Sequence, residues 1–222
     1  MRVDFSIKVC YDEFMDTMFG YKIVKTLGKG KTGISYLVQK DDGLFVLKVM
    51  NKDVDDYEKQ LEIFNGEKYS YERMSKIGVG VPKLYEFDEE NNYLVKEYIE
   101  GTCASELAAV GYNKDSGLTD KHFELIFDMH RRFKNVGIHV DYFPANFIFT
   151  SDDKIYCIDY ECYDYNQEWD FVEWGIYYWL NEEGMKELLQ KGATDKLNKS
   201  GTFKPIDEPF EEIKQELVKK FL

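Results

Sequence analysis

His139-Val140-Asp141-Tyr142-Phe143-Pro144-Ala145-Asn146 sets a carboxylate five residues ahead of an amide, and Asp159 follows thirteen residues after Asn146. Two short β-prone runs, FIF at 147–149 and KIYCI at 154–158, fill the interval around a polar turn. Asp159 is therefore expected at the end of a strand. Upstream, Phe123, Ile126, Phe127, His130 and Phe133 recur at helical spacing across 119–136. Downstream, 169–180 is apolar and aromatic nearly throughout, the composition of a buried helix. The tail beyond Pro205 reads as one amphipathic helix with Phe210, Ile213, Leu217 and Phe221 inward.

The first half of the chain differs. YKIVKTL, ISYLVQK and LFVLKVM, all within 21–50, read as strands, and the Asp41-Asp42-Gly43 turn between the last two is a hairpin signal. Residues 53–77 are charged and helix-prone, with a break expected near Gly66. Residues 84–99 read as a second hairpin with Asn91-Asn92 at its tip, and Gly101 opens a connector. A sheet-rich half holding one helix, then a mostly helical half, is a two-lobed α+β pattern. We set the boundary after residue 100: residues 1–100 form a lobe of antiparallel sheet plus one helix, and 101–222 a reduced, mainly helical lobe.

Composition excludes several classes. The 222 residues are 44% hydrophobic and 16% aromatic, which argues against disorder and allows two small lobes. No apolar run reaches the roughly 18 residues that a membrane span needs. The opening MRVDFSIKVCYDEF carries acids early, so no signal peptide is expected. Cys10, Cys103, Cys157 and Cys162 form no CxxC pair, which points to reduced thiols in a cytoplasmic protein and away from a disulfide framework or a zinc site. The net charge of −13 makes nucleic acid a poor partner. It leaves a cationic acceptor open, although acids also simply keep a protein in solution.

Gly28-Lys29-Gly30-Lys31-Thr32-Gly33 is a GxGxxG between two strands. A dinucleotide site would want a helix directly after it, whereas ISYLV follows. A glycine loop inside a hairpin instead lets backbone N–H groups approach phosphates. Lys48 lies fifteen residues after Gly33 in the apolar run Val46-Leu47-Lys48-Val49. A lysine there is either an edge residue facing water or a phosphate ligand held by a glutamate. Among Glu58, Glu62, Glu67 and Glu72, Glu67 shares a helical face with Phe64, Tyr71 and Met74, which should pack inward. Glu72 shares its face with Lys68, Ser75 and Lys76, so Glu67 is the expected partner.

In this order the glycine loop, Lys48, Glu67, His139-x-Asp141-x-x-x-x-Asn146 and Asp159 resemble the protein-kinase superfamily over roughly residues 21–180. The resemblance implies a two-lobed protein-kinase-like fold and an ATP- and Mg²⁺-dependent phosphotransferase. It implies that Asp141 takes or orients the proton of an acceptor hydroxyl. Asn146 and Asp159 would hold Mg²⁺ through hard oxygen ligands. Lys48, oriented by Glu67, would bind phosphates together with Gly28, Gly30 and Gly33. Glu97 to Ile99 is similar to the hinge that binds adenine through backbone groups, with Val46 and Leu27 lining the slot. His139 is expected to support the catalytic loop, His130 to be a satisfied core histidine, and His122 to be exposed.

Departures from the pattern narrow the branch. Val140 stands where protein kinases carry an arginine that reads activating phosphorylation. Phe143 replaces a lysine usual in serine/threonine protein kinases, Glu161 replaces the glycine of the DFG-type triplet, and Ser35 replaces an apolar residue over the adenine. Only ten residues separate Asp159 from Asp170, too few for a long activation segment. IDYECYDYNQEWDF is similar to the equivalent stretch of choline, ethanolamine and LicA-type kinases, while the glycine loop and short length resemble RIO-like kinases. On the first resemblance, Trp169, Trp174, Tyr177, Tyr178 and Trp179 would form part of a cation box; the same residues would also suit the core of a central helix. The expected acceptor is a hydroxyl on a small molecule, cationic if the box exists. The alternatives are a protein substrate or regulatory ATPase of RIO-like type, and a nucleotide-binding pseudokinase.

Overall fold

The computed structural model describes residues 17–30, 32–52, 56–197 and 210–222. The expectations for the N-terminal segment, Cys10, Lys31, 53–55 and the start of the tail lie outside the described residues.

Strand alternation builds the first lobe. β1 (Thr17–Met18), β2 (Tyr21–Lys29), β3 (Gly33–Lys40) and β4 (Gly43–Met50) precede helix α1 (Tyr57–Met74), and β5 (Leu84–Asp88) and β6 (Tyr93–Glu97) follow it. The six strands form one antiparallel sheet in the order β1-β2-β3-β4-β6-β5. Successive side chains point to opposite faces. One face buries Tyr21, Val38, Leu47, Tyr93 and Val95. The other sets Met50 and Leu94 against Phe64 of α1 and against Tyr160, which reaches over from the second half of the chain. In the β2–β3 ladder the pairing skips Val24 and Leu27, so the strand is irregular where it enters the glycine loop.

Helix α1 runs unbroken through Gly66, contrary to the expected break. A mid-helix glycine costs about 1 kcal/mol relative to alanine. Here Phe64, Glu67, Ser70 and Met74 bury a continuous stripe that outweighs it.

The second lobe comprises β7 (Thr102–Cys103), α2 (Ala104–Val110), α3 (Asp120–Asn135), β8 (Ile138–Val140), β9 (Phe147–Phe149), β10 (Ile155–Cys157), β11 (Cys162–Asp164), α4 (Ile176–Leu180), α5 (Glu182–Lys191) and α6 (Glu211–Phe221). Phe123, Ile126, Phe127, His130 and Phe133 of α3 are all buried, as their spacing predicts. They pack with Tyr142, Phe147, Phe171 and Trp179. β7, β9 and β10 form a small sheet, and β11 pairs antiparallel with β8.

Two helical expectations change. Residues 169–180 are not one helix: a 3-10 turn ends at Trp169, a π-helical turn spans Phe171–Gly175, and only then does α4 begin. Asp170 organises this start, its carboxylate accepting from Glu173 N at 2.8 Å and its carbonyl from Trp174 N and Gly175 N. Gly175 allows the turn to lie against the loop after β8, since a methyl there would run into Tyr142. In α6 Leu217 is buried and Phe210 and Phe221 pack against the core, as expected, but Lys214, 5% exposed, takes the inward place expected of Ile213, which is 36% exposed. The Lys214 Nζ lies 4.8 Å from the Tyr177 ring centroid and donates to Tyr177 Oη at 2.7 Å, a buried lysine that an apolar-only pattern passes over.

Candidate active site

β4 carries Lys48 into the face that meets α1, and its Nζ donates to Glu67 Oε1 at 2.6 Å and to Asp159 Oδ1 at 3.2 Å. Glu58, Glu62 and Glu72 are exposed and take no part. Glu67 is buried because the Phe64–Met74 stripe turns inward. Burial opposes the Lys48 charge, but Asp159 and Glu67 outweigh it and hold its pKa above the ordinary lysine value. Burial pushes Glu67 up to about 7 against the pull of Lys48. Burial also lifts Asp159, and Lys48 and Lys96 more than reverse this, leaving it below its ordinary value. Glu67 Oε2 makes no hydrogen bond.

A second lysine, Lys96 of β6, sits at the same cluster and is absent from the sequence-based candidates. It is buried, its Nζ donates to the Ile158 carbonyl, and it lies 4.7 Å from the Tyr160 ring centroid. Burial, reinforced by Lys48, pulls its pKa down, while Asp159 and Glu67 pull it up.

The catalytic-loop residues converge on the same place. Asp141 follows β8, and its Oδ1 accepts from Phe143 N at 3.0 Å. Burial raises its pKa, with the Phe143 N–H working against that. Asn146 Nδ2 donates to the Asp141 carbonyl at 3.2 Å, and its own carbonyl accepts from Ile158 N at 2.8 Å. This ties the loop to the strand that delivers Asp159. The donors fit Mg²⁺: Asp159 and Asn146 offer a carboxylate and an amide oxygen, and Mg²⁺ is usually held by one or two such side chains plus substrate phosphate. No cluster of three or more His, Cys, Asp or Glu side chains able to hold a metal occurs among the described residues.

The glycine loop lies between β2 and β3, and β3 pairs directly with the strand that carries Lys48. Gly28 pairs with Ser35, and Gly30 N–H donates to the Gly33 carbonyl at 2.8 Å. A methyl at Gly33 would meet the Val49 carbonyl oxygen at 2.7 Å, whereas one at Gly28 would meet nothing within 4 Å. Gly33 is thus required by packing, and the space beside Gly28 is open. Val46 is buried opposite Lys96, while Leu27 is exposed. Glu97 ends β6, with its N–H and carboxylate both engaged with Lys83, and Ile99 lies half-buried in the connector.

The histidines differ in role. His139 Nδ1 accepts from Asn166 N at 3.2 Å and its ring stacks on Tyr163, supporting the loop. His130 is not fully satisfied: Nδ1 is 3.4 Å from Tyr142 Oη, and Nε2 makes no hydrogen bond, 3.8 Å from Asp170 Oδ2. Burial drives its pKa down to about 4. His122 is half-buried, not exposed, and accepts from Thr119 N at 2.9 Å to close the start of α3.

Beside Asp141 opens a cavity of about 480 Å³ lined by Glu161, Tyr163, Asp164, Trp169 and Trp174, among others. Of the aromatics expected as a box, only Trp169 and Trp174 line it. Tyr177, Tyr178 and Trp179 are core, and Trp179 donates to the Tyr142 carbonyl at 2.8 Å.

A two-lobed α+β fold with a glycine loop, a buried lysine–glutamate pair joined to Asp159 and an Asp–Asn loop defines the protein-kinase-like class. The RIO domain matches residues 36–165, more than half of the chain, and the chain belongs to the RIO family. The match includes Lys48, Glu67, Asp141, Asn146 and Asp159; it begins after the glycine loop and ends before Trp169. The chain is 28% identical over 145 residues to serine/threonine-protein kinase D of Synechocystis sp., a match covering 61% of this chain and 28% of that protein, so it spans little more than a quarter of its relative. The kinase domain of Mycobacterium tuberculosis PknI aligns with a TM-score of 0.44 at 20% identity, covering 66% of this chain and 61% of that one. Among the described residues, no helix is long and apolar enough to cross a membrane.

Proposed function

We propose that the protein transfers the γ-phosphate of ATP to a hydroxyl of a small, positively charged molecule bound beside Asp141. The observation that carries this reading is the cavity of about 480 Å³ in which Asp141, Glu161 and Asp164 meet the rings of Trp169 and Trp174. Arg73 neutralises Asp164 at 3.0 Å, which leaves two carboxylates facing the space. An anionic acceptor would be repelled there. A cation over an aromatic face gains about 0.5–2 kcal/mol. Micromolar binding takes about 8 kcal/mol, so rings and carboxylates must act together.

In the reaction, Asp141 accepts the proton as the acceptor oxygen forms its bond to the γ-phosphorus and the bond to the bridging oxygen of ADP breaks. Lys48, held by Glu67, steadies the phosphates, and Gly28 and Gly30 let the loop approach them. Mg²⁺ at Asp159 and Asn146 would neutralise charge on the phosphate oxygens. Cys103, Cys157 and Cys162 are free thiols, which suits a reducing compartment such as the cytoplasm.

ADP release should rise above the basal rate with choline-like, aminoglycoside or thiamine-like hydroxyl compounds. It should not rise with neutral isosteres, and Asp141→Asn should abolish the rise. A second reading, a serine/threonine protein kinase or regulatory ATPase, is supported by the RIO family match and by the name of the Synechocystis relative. It would be favoured if every small cation left the rate at basal level while radiolabel from ATP appeared on protein. If no Mg²⁺-dependent ATP turnover occurs at all, the chain is a nucleotide-binding scaffold.

A further inference from the structure

Lys96 takes no part in the chemistry above, yet it is buried beside Lys48, Glu67 and Asp159 with 5% exposure. An ammonium shut away from water needs acceptors. Register explains its place. It pairs with Val46 across the β4–β6 ladder, two positions from the Lys48–Leu94 pair, so both lysines rise from one face of the sheet. Its Nζ donates to the Ile158 carbonyl and lies 4.7 Å from the centroid of the Tyr160 ring. Ile158 and Tyr160 flank Asp159. The Tyr160 hydroxyl is fixed by the Pro82 carbonyl at 2.6 Å, and Ile158 N by the Asn146 carbonyl at 2.8 Å. The other charged and titratable groups facing Lys96 are Lys48 from β4, Glu67 from α1, Asp159 itself and the Cys157 thiol from β10. The two lysines thus balance the two carboxylates.

We propose that Lys96 is a positioning residue that clamps the Ile158 carbonyl and the Tyr160 ring on either side of Asp159 and so sets where that carboxylate stands relative to Lys48. The kinetic part of this inference rests on the phosphotransfer reading; the clamp itself does not. A clamp and a general structural lysine differ in what their loss loosens. The test combines amide hydrogen exchange of the nucleotide-free protein with initial-rate kinetics of Mg²⁺-ATP turnover, for Lys96→Met and Lys96→Arg. In Lys96→Met, exchange at Asp159, Tyr160 and Glu161 should quicken by about tenfold or more while β3 and β4 keep their protection. kcat should fall by about tenfold or more with KM for ATP changed less than about threefold. Lys96→Arg, which keeps the cation and its donors, should restore both. Unchanged exchange at those amides, acceleration spread evenly over the sheet, or an arginine variant no better than methionine would overturn the clamp. If Lys96→Met does not fold, Lys96→Gln is read by the same criteria, and failure of both to fold assigns the lysine a purely structural role. A wild-type protein without ATP turnover would sink the phosphotransfer reading while the exchange result still decided the clamp.

Discussion

Lys48 is shared by Glu67 and Asp159, and the proposed chemistry asks it to turn to phosphate when nucleotide arrives. Glu67 then has to hold the stem in place. Glu67→Gln keeps the shape and loses the charge, so kcat should fall by about tenfold, whereas exposed Glu72→Gln should leave it unchanged. Asp159→Ala should remove at least about a hundredfold of turnover and lower the melting temperature, because Lys48 and Lys96 then share one carboxylate, and near wild-type activity would rule out its metal-binding role. The Lys48–Glu67 pair was legible because helical offsets put Glu67 beside Phe64 and Met74. Lys96 was not, since its acceptor is a backbone carbonyl far along the chain, at Ile158, and nothing in YLVKE signals it. His130 gives a pH test. Its folded pKa of about 4 lies below the ordinary 6.5, so the unfolded chain takes up the proton first as pH falls. Stability from neutral His130 is complete above pH 6.5 and drains as the pH falls from there toward about 4. Denaturant titrations at pH 7.5 and 5 should show this loss in the wild type and a smaller one in His130→Leu.

At the level of elements, one substitution separates two kinds of glycine. Gly66 lies inside α1 with nothing within 4 Å of where an added methyl would stand, so Gly66→Ala should stabilise by about 0.5–1 kcal/mol. Gly175 is where the π-helical turn meets Tyr142, and Gly175→Ala should destabilise by about 1–3 kcal/mol. Thermal or denaturant unfolding of the two variants reads both signs. The expected break at Gly66 failed because propensity is a local cost and the buried stripe of α1 is a tertiary gain. The π turn was illegible because composition reports burial and not helix pitch. The segment after Asp159 is itself an element, β11, paired with β8 and tied to α1 by Arg73–Asp164 and by Cys162 N to Ser70 Oγ. With α1 already docked and Val140 in the arginine position, phosphatase-treated protein should turn over ATP as fast as untreated protein. A large loss on treatment would mean that a phosphorylated segment orders the cleft.

The whole molecule carries a net charge of −13, and the proposed acceptor cavity adds Asp141 and Glu161 to that field at short range. Charges spread over a surface act at a distance only when salt permits: the Debye length is about 30 Å at 0.01 M and about 8 Å at 0.15 M. A cationic acceptor should therefore be drawn in more strongly at low ionic strength, and a neutral isostere should not. The local contacts behave differently, because the rings of Trp169 and Trp174 and the half-buried Glu161 exclude part of the solvent that carries the screening ions. Raising salt from about 10 to about 150 mM should thus increase KM for a stimulating cation several-fold and leave kcat nearly constant, since the steering acts before the reacting groups meet. KM for ATP sets the control, because Mg²⁺-bound ATP is still an anion, is repelled by the same net charge and should bind better, not worse, as salt rises. Initial rates for both substrates across that salt range make the comparison in one protein. If KM for the cation stayed flat while KM for ATP fell, the field would be reaching the nucleotide but not the acceptor, and the acceptor would have to be sought on a surface away from the carboxylates beside Asp141.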